Sequence, residues 1–149
     1  MNNKKILIKA PCKLNLFLKI INKRKDKFHN IFSGVTFLDL YDDIEVQTAK
    51  INSITYIGKF KPKNKIFKDD ILLKTMKLLK LKNDIRLKIK VKKNIPTEAG
   101  LGSASTNAAA FIRALINLNI IKKVNTNLLS VLGSDVPVCF YSKDCIILG

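Results

Sequence analysis

The sequence predicts an α+β domain, and two patterns carry that prediction. Runs rich in β-branched and aromatic residues dominate the first third of the chain, and two later segments repeat apolar residues at helical spacing. With 149 residues and 47% hydrophobic composition, the chain is long enough and apolar enough to bury a core. The sequence contains no internal repeat and no linker-like stretch, so we expect one domain over residues 1–149.

The first third of the chain predicts an antiparallel β region. Pro11 and turn residues separate its candidate strands, which are residues 4–10, 13–21, 31–38 and 43–48. The sequence ITYIG, at 54–58, is a further candidate strand. The KFKPKNK that follows is typical of a polar loop.

Residues 67–82 predict an amphipathic helix. Acidic residues open it, which suits the positive end of the helix dipole. Its inner side carries Ile71, Leu72, Thr75, Leu78 and Leu79, and its charged side carries Lys74, Lys77 and Lys80. Residues 84–92 then alternate strictly between apolar and basic, which predicts a half-exposed strand whose cations face solvent.

A second helix is predicted to run to about Asn119. The apolar residues that repeat there at helical spacing are Ala104, Ala108, Phe111, Ile112, Leu115 and Leu118. A short helix near 126–132 ends at Gly133. The closing runs VPVCFY (136–141) and CIILG (145–149) are predicted as strands.

The formal net charge of +17 is the strongest feature of the composition, and it suggests binding to a polyanion such as nucleic acid. Only three of the 28 basic residues are arginine, however, and the lysines are spread from Lys4 to Lys143. Arginine is the better partner for phosphates and bases. We therefore expect no dedicated nucleic-acid role and keep one only as an alternative.

Cysteine usage and hydropathy exclude other classes of protein. Cys12, Cys139 and Cys145 are odd in number and lack CxxC spacing, so they fit neither a disulfide framework nor a zinc site, and we expect buried or idle thiols. Lys9 and Lys13 interrupt the apolar start, and no window approaches the ~18 apolar residues of a membrane span. We expect a cytoplasmic protein without a membrane partner.

The stretch IPTEAGLGSASTNAAA places glycine and small residues directly before the second helix. Helix N-termini carry unpaired N–H groups and a partial positive charge, so a bare turn there can bind an anion such as phosphate. Gly100 and Gly102 permit close backbone approach, while Ser103, Ser105 and Thr106 can supply hydroxyls or a Mg²⁺ contact. No GK[ST] follows and position 105 is Ser, so neither the Walker loop nor the dinucleotide fingerprint fits. A capped, tightly packed helix start is the alternative interpretation.

Four sequence blocks occur in the order found in one enzyme family. They are APCKLNLFLKI, KFHNIFSGVTFLDLYDDIEV, IPTEAGLGSASTNAAA and LGSDVPVCF. In these blocks the chain resembles the GHMP kinase superfamily, and within it the kinases that phosphorylate the 2-hydroxyl of 4-diphosphocytidyl-2-C-methyl-D-erythritol in non-mevalonate isoprenoid biosynthesis. The resemblance implies a fold like domain 2 of ribosomal protein S5, with a mixed or antiparallel sheet and helices packed on one side. It also implies ATP and Mg²⁺ as cofactors and a cytidyl diphosphate sugar alcohol as substrate.

The resemblance also implies roles for particular residues. Lys13 looks like the active-site lysine, and Asp135 looks like the aspartate that accepts the hydroxyl proton; phosphoryl transfer needs little more than positioning, charge stabilisation and such a base. Asn15 is implied to orient the substrate, and Phe28 and His29 to contact its cytidine end. No residue is assigned as a metal ligand. The implied ATP-phosphate loop comprises Pro96, Thr97, Glu98, Ala99, Gly100, Leu101, Gly102, Ser103, Ala104, Ser105 and Thr106.

The sequence departs from the family pattern at several positions. Glu98 replaces a small uncharged residue beside the phosphate loop, Gly102-Ser103-Ala104 replaces a triple glycine, and Phe28 replaces a tyrosine. The larger departure is length, because the resemblance covers only the N-terminal ATP-binding domain of the family. We expect the C-terminal domain to be absent and apolar surface to be exposed where it would dock.

Three interpretations follow from these features. The first is a truncated, weakly active kinase of this family that works with a separately encoded C-terminal half or by unusual means; that half or a homo-oligomer is the expected protein partner. The second is a catalytically inactive remnant or nucleotide-binding module of the same fold. The third is a basic protein associated with nucleic acid. Lys13, the glycine loop and Asp135 favour the first, Glu98 and the length favour the second, and the charge alone favours the third.

Overall fold

The computed structural model describes residues 4–25, 29–63, 69–96 and 99–148. These residues form a five-stranded sheet with helices, which is the predicted α+β class. No helix within these ranges is both long and apolar enough to span a membrane. In chain order the elements are β1 (Lys5–Lys23), β2 (His29–Thr48), β3 (Ser53–Ile57), α1 (Ile71–Leu78), β4 (Leu87–Lys92), α2 (Ser103–Asn117), α3 (Thr126–Leu129), α4 (Val136–Tyr141) and β5 (Cys145–Leu148).

The sheet is mixed. Its strand order is β1-β2-β4-β3, and β5 pairs with the first half of β2. Antiparallel pairing joins β2 to β1, β4 and β5, whereas β3 runs parallel to β4. A parallel pair needs a crossover connection, and α1 lies in the connection between β3 and β4.

β1 and β2 are long, bent strands, so the prediction of four separate strands was wrong. Pairing continues through Pro11, where the register shifts from Pro11 opposite Tyr41 to Cys12 opposite Leu38. Two additional residues of β2 are accommodated at that bulge. Proline is tolerated in an edge strand or at a bulge, and β1 lies at the edge of the sheet. Pro11 therefore bends the strand without ending it.

The central strands agree with the sequence pattern. In β4, Leu87, Ile89 and Val91 are buried, and the lysines between them are exposed. β3 forms at Ser53–Ile57, where ITYIG predicted a strand. The alternation of β4 turns one face of the sheet to the core and leaves its basic face in solvent.

α2 occupies the centre of the core. Its first side packs on the buried face of the sheet and on α1, and its second side packs on α3 and α4. Phe111, Ala114 and Leu115 belong to the first side, and Ala108 and Ile112 belong to the second. This central position explains why α2 is apolar around most of its circumference.

α1 is shorter than the predicted helix over 67–82. It begins after Asp70, whose side chain accepts hydrogen bonds from Leu72 N (2.8 Å) and Leu73 N (3.3 Å). An acidic N-cap satisfies amides that have no partner in the helix, as the acidic start predicted. The predicted residues 67 and 68 lie outside the described residues.

The segment VPVCFY forms the helix α4, so its prediction as a strand was wrong. A short apolar run has no period that distinguishes a strand from a buried helical turn. Val136 and Cys139, three residues apart, share the side that packs on α2, and Pro137 is tolerated in the first turn. Contact with α2 therefore decides the conformation of this segment. The following CIILG forms β5 over Cys145–Leu148, as predicted.

Candidate active site

The glycine-rich loop leads into an open start of α2. Gly102 is the N-cap residue in the left-handed conformation (φ 64°), and no side chain of the described residues caps the helix there. The first helical bond runs from Thr106 N to Gly102 O (2.9 Å), so the amides of residues 103–105 have no partner within the helix. The first turn carries no acidic residue. This end of α2 therefore offers N–H donors and a partial positive charge to an anion.

Gly102 is held against Lys13 of β1. The backbone N–H of Lys13 donates to Leu101 O at 3.1 Å, which ties the loop to the strand. A Cβ added at Gly102 would lie 3.2 Å from Lys13 Cβ and 3.4 Å from Lys13 Cε. The positive φ and the close approach both favour glycine at this position.

Lys13 and Asp135 form an ion pair, with Lys13 Nζ 2.9 Å from Asp135 Oδ2. The same Nζ donates to Asn15 Oδ1 at 2.9 Å. Lys13 is buried, whereas the Asp135 side chain is 39% exposed. A buried ammonium needs acceptors that offset its desolvation, and these two oxygens supply them. The result is an accessible carboxylate fixed by a cation that solvent does not reach.

The last sequence block lies against the glycine-rich loop. Asp135 is the N-cap residue of α4, and Gly133 precedes it in the turn. A Cβ added at Gly133 would lie 3.7 Å from Ser105 Oγ. The structure thus brings together three segments that are distant in sequence: residues 13–15, the loop with the start of α2, and residues 133–135.

A cavity of about 420 Å³ opens beside the loop. Among the predicted loop residues, Pro96 and residues 99–105 line it. Thr106 is buried instead, and its hydroxyl donates to Ser103 O at 3.1 Å. Gly102 lines the cavity and lies against Lys13, whereas neither Lys13 nor Asp135 lines the cavity itself. The volume lies in the range of ~300–1,000 Å³ that is typical of small-molecule sites.

The sequence analysis missed a buried ion pair in the wall of this cavity. Lys93 is 3% exposed, and its Nζ contacts Asp42 Oδ2 and Ser103 Oγ. Asp42 is fully buried, and it also accepts hydrogen bonds from Asn94 N (2.7 Å), Ile95 N (2.9 Å) and Ser103 Oγ (3.0 Å). This network ties β2, the end of β4 and the first residue of α2 together, and Lys93 lines the cavity.

A sequence signal for this pair exists in the strand periodicity. The buried face of β4 carries Leu87, Ile89 and Val91, so the next residue on that face is Lys93. Asp42 precedes the buried Ile44 of β2 by two residues in the same way. A lysine and an aspartate placed on the buried face of a strand each need an oppositely charged or hydrogen-bonding group to offset the cost of burial. Here Lys93 and Asp42 pair with each other.

Two more unpredicted residues contribute to the cavity. Tyr56 of β3 donates its O–H to Asp70 Oδ2 at 2.6 Å. The pKa of Tyr56 is raised, mainly because the hydroxyl is buried and also because it is hydrogen-bonded to the Asp70 carboxylate. Asn107 of α2 is 4% exposed and lines the same cavity. Within the described part of the chain, its Oδ1 has no hydrogen-bond partner. A buried amide oxygen of this kind requires a donor, which a bound molecule can supply.

The remaining predicted substrate residue, His29, lies away from the ion pair. It is the exposed first residue of β2, opposite Lys23. Lys23 lies ten residues beyond Lys13 along β1, and no hydrogen bond or ion pair within the described residues joins His29 to Lys13 or Asp135. The predicted residues Phe28, Thr97 and Glu98 lie outside the described residues.

The three cysteines are free, as predicted. Cys12 and Cys139 are buried, and burial raises the pKa of the Cys139 thiol to about 12 and that of Cys12 in the same direction. A raised pKa lowers the thiolate fraction, so burial makes Cys12 and Cys139 poor nucleophiles. Among the described residues, no three acidic, histidine or cysteine side chains are grouped to hold a metal.

Comparison with known protein sequences matches this chain to one family. A family model described as "GHMP kinases N terminal domain" matches residues 70–143. The chain is 38% identical over 139 residues to 4-diphosphocytidyl-2-C-methyl-D-erythritol kinase of Prochlorococcus marinus (strain MIT 9215), covering 90% of this chain and 44% of that protein. It is 34% identical over 157 residues to the protein of the same name from Bacillus thuringiensis (strain Al Hakam), covering 100% of this chain and 52% of that protein. The chain spans about half the length of these relatives.

Solved structures share the fold. A crystal structure of 4-(cytidine 5'-diphospho)-2C-methyl-D-erythritol kinase superposes with a TM-score of 0.77 at 24% identity, covering 97% of this chain and 52% of that chain. A mevalonate kinase structure superposes with a TM-score of 0.58 at 18% identity, covering 93% of this chain and 48% of that chain. The architecture is therefore that of a GHMP kinase N-terminal domain.

Proposed function

We propose that this chain, which belongs to the GHMP kinase superfamily, acts as the ATP-binding part of a kinase that phosphorylates the 2-hydroxyl of 4-diphosphocytidyl-2-C-methyl-D-erythritol. The observation that carries the proposal is the Lys13–Asp135 pair (2.9 Å) beside the open start of α2. Phosphoryl transfer needs an anion site and a proton acceptor side by side, and little else. In this proposal residues 1–149 correspond to the N-terminal domain of such a kinase.

The start of α2 is the proposed site for the ATP phosphates. Residues 103–105 line the cavity, and their amides have no partner within the helix. Gly102 lacks a side chain that would keep a phosphate from these amides. The Mg²⁺ that accompanies ATP neutralises charge on the phosphate chain. Ser105 is the hydroxyl suited to hold it, because Ser103 Oγ is engaged with Asp42 and Lys93.

Asp135 and Lys13 are the proposed catalytic residues. The substrate hydroxyl oxygen forms a bond to the γ-phosphorus while the bond from that phosphorus to the bridging oxygen of the ADP leaving group breaks, and the hydroxyl proton passes to Asp135. Lys13 holds the Asp135 carboxylate in place through the ion pair and puts positive charge near the transferred group. Asn15 accepts a hydrogen bond from the Lys13 ammonium at its Oδ1, and its proposed role is to orient the substrate.

Turnover tests the proposal. The full chain with MgATP and 4-diphosphocytidyl-2-C-methyl-D-erythritol is expected to release ADP, and release should stop when the substrate is omitted. Asp135→Asn should abolish release, whereas the matched surface change Asp84→Asn, at an exposed turn residue, should not. Turnover that survives Asp135→Asn would overturn the assignment of the base.

The position of His29 sharpens the substrate assignment. If the cytidine end of the substrate reaches the distal end of the β1–β2 hairpin, His29→Ala raises KM for the substrate and leaves KM for ATP unchanged. Phe28→Ala is expected to act in the same direction by removing a ring that can stack on the base. If neither change alters KM for the substrate, the substrate does not bind at these two residues.

A nucleotide-binding module without turnover is the second candidate. It is favoured by the extent of exposed apolar surface, which includes Leu16 (66%), Ile20 (58%) and Leu148 (73%). A site wall formed by further polypeptide would cover such surface, and catalysis needs water to be excluded. Calorimetry that detects ATP binding, lost in Gly102→Ala, together with no ADP release would establish this alternative.

A further inference from the structure

Arg113 of α2 forms hydrogen bonds to both α4 and β1, the two elements that carry Asp135 and Lys13. Its Nη1 donates to Cys139 O (3.1 Å), Phe140 O (3.0 Å) and Ser142 Oγ (2.8 Å), all at the end of α4. Its Nη2 donates to Lys9 O of β1 at 3.1 Å. One nitrogen of the guanidinium thus serves α4, and the other serves β1.

The two elements joined by Arg113 are those that carry the ion pair. Lys13 follows Lys9 on β1 by four residues, and Asp135 is the N-cap of α4. α4 has six residues, about 9 Å of helix, so fixing its last carbonyls also fixes the direction of its first turn. The last carbonyls of a helix have no partner within it, and Arg113 supplies one.

We propose that Arg113 is a positioning residue of the active site: by bridging Lys9 O and the end of α4, it sets the geometry in which Asp135 meets Lys13. This proposal rests on the proposed function in one respect: it takes Lys13 and Asp135 to be the catalytic residues. Arg113 itself touches neither of the two side chains through its described hydrogen bonds. Its effect passes through the backbone of β1 and α4.

The chemistry of this bridge requires arginine. A guanidinium is planar and directs donors from two terminal nitrogens in a fixed fork, so it can hold two elements at once. A lysine ammonium is a single nitrogen on a flexible stem, and it can keep the bonds to α4 or the bond to Lys9 O with good geometry, but not both. Arg113→Lys therefore breaks the bridge while it retains the charge.

A double-mutant cycle without nucleotide or substrate tests the proposal. The coupling between Lys13 and Asp135 is measured from urea unfolding of Lys13→Met, Asp135→Asn and the double variant, first with Arg113 present and then in Arg113→Lys. We expect the coupling to fall by more than about half in Arg113→Lys, because the two side chains are no longer held at contact. Ser142→Ala removes one partner of Nη1 and should give a smaller fall in the same direction.

Leu87→Ala is the control for a general loss of stability. Leu87 is buried in the core between the sheet and α2, in a cluster that contains no residue of α4. We expect it to lower the unfolding midpoint and to leave the Lys13–Asp135 coupling unchanged. Should Arg113→Lys fail to fold, Ser142→Ala still decides the matter.

Coupling that stays at the wild-type value in Arg113→Lys, or in Ser142→Ala when the lysine variant does not fold, would overturn the proposal. Arg113 would then be a purely structural tie. The cycle is measured without ATP or substrate, so its result does not depend on kinase turnover. If the chain has no kinase activity, the coupling between Lys13 and Asp135 can still be measured.

Discussion

The two halves of the β1–β2 hairpin share one pairing but differ in what covers them. In the inner half, Ala10, Cys12 and Lys13 are no more than 3% exposed, because α2 and the glycine-rich loop pack there. In the outer half, residues 16–21 of β1 are exposed, and all of them except Lys19 are apolar. β1 thus contributes to a buried polar site at one end and carries an exposed apolar surface at the other, where its partner residues 33–35 of β2 are themselves buried.

This difference shows what a strand sequence can and cannot specify. LFLKII, at 16–21, is a nearly continuous apolar run, which is typical of a strand covered on both faces. In the outer half the Phe17 and Phe32 rings contact each other, with centroids 5.0 Å apart, and the β1 residues 16–21 remain exposed. Exposed apolar surface was expected from the sequence, and an extended patch of it marks an interaction surface.

The largest effect is expected at the buried pair of the inner half. Lys93→Met leaves Asp42 charged and buried without its cation, and breaking such a pair costs ~3–5 kcal/mol. Urea unfolding should show this loss of stability. Lys88→Met, on the exposed face of the same strand, should change stability by less than ~0.5 kcal/mol. Equal effects of the two changes would contradict the assignment of Lys93 as a structural cation.

The second prediction compares two lysines of one strand. Lys13→Met removes the charge that we propose stabilises the transferred phosphoryl group, so turnover should fall ~10²–10³-fold, the typical cost of one lost electrostatic contact to a transition state. Lys19→Met makes the same change in the exposed outer half and should leave turnover within about twofold of the wild type. Steady-state ADP release measures both. Similar losses in both variants would show that overall positive charge, and not Lys13, drives the reaction.

The third prediction compares two glycines of the loop. Gly102→Ala adds a Cβ at positive φ and 3.2 Å from Lys13 Cβ, whereas Gly100→Ala adds one at positive φ (71°) with no atom of the described residues within 4 Å. Both changes carry a conformational cost of ~1–2 kcal/mol, and only Gly102→Ala also displaces Lys13 and obstructs the start of α2. ATP titration should therefore show weaker binding for Gly102→Ala than for Gly100→Ala. The reverse order would argue against phosphate binding at α2.

The smallest effect is expected in the outer half. Ile20→Thr changes a side chain that is 58% exposed, so the free energy of unfolding should move by less than ~0.5 kcal/mol. The same change at the fully buried Ile44 should cost several times more, since it removes buried apolar area and buries a hydroxyl. Thermal unfolding compares them. A large loss in Ile20→Thr would mean that the outer half is covered in solution.

The spacing of apolar residues predicted most of the helices and strands, because that spacing shows which face of each element is buried. The strict alternation of 84–92 gave β4, and the helical spacing of apolar residues gave α2, which ends two residues before the predicted Asn119. Pro11 was misjudged because its position at an edge and a bulge is not visible in the sequence. VPVCFY was misjudged because one helical turn is too short to show a period.

The candidate site was predictable where a motif marks it. The loop and the blocks around Lys13 and Asp135 are recognisable locally, and the structure places these two side chains in contact. Tyr56 and Arg113 carry no such mark, and the strand periodicity marks Lys93 and Asp42 only as buried, without naming their partners. Each acts through a partner that is distant in sequence, and a buried charge or a shared carbonyl becomes evident only when that partner is in place.

By itself the sequence determined which residues turn inward, where glycine opens the start of a helix, and which family the chain resembles. These properties depend on local spacing and on side-chain type, so they can be inferred residue by residue. Only the tertiary structure decided that Asp135 meets Lys13, that VPVCFY is helical, and that half of a continuous apolar strand remains uncovered. The physical reason is that charge pairing and burial are set by the distance between segments, and that distance is a property of the whole fold.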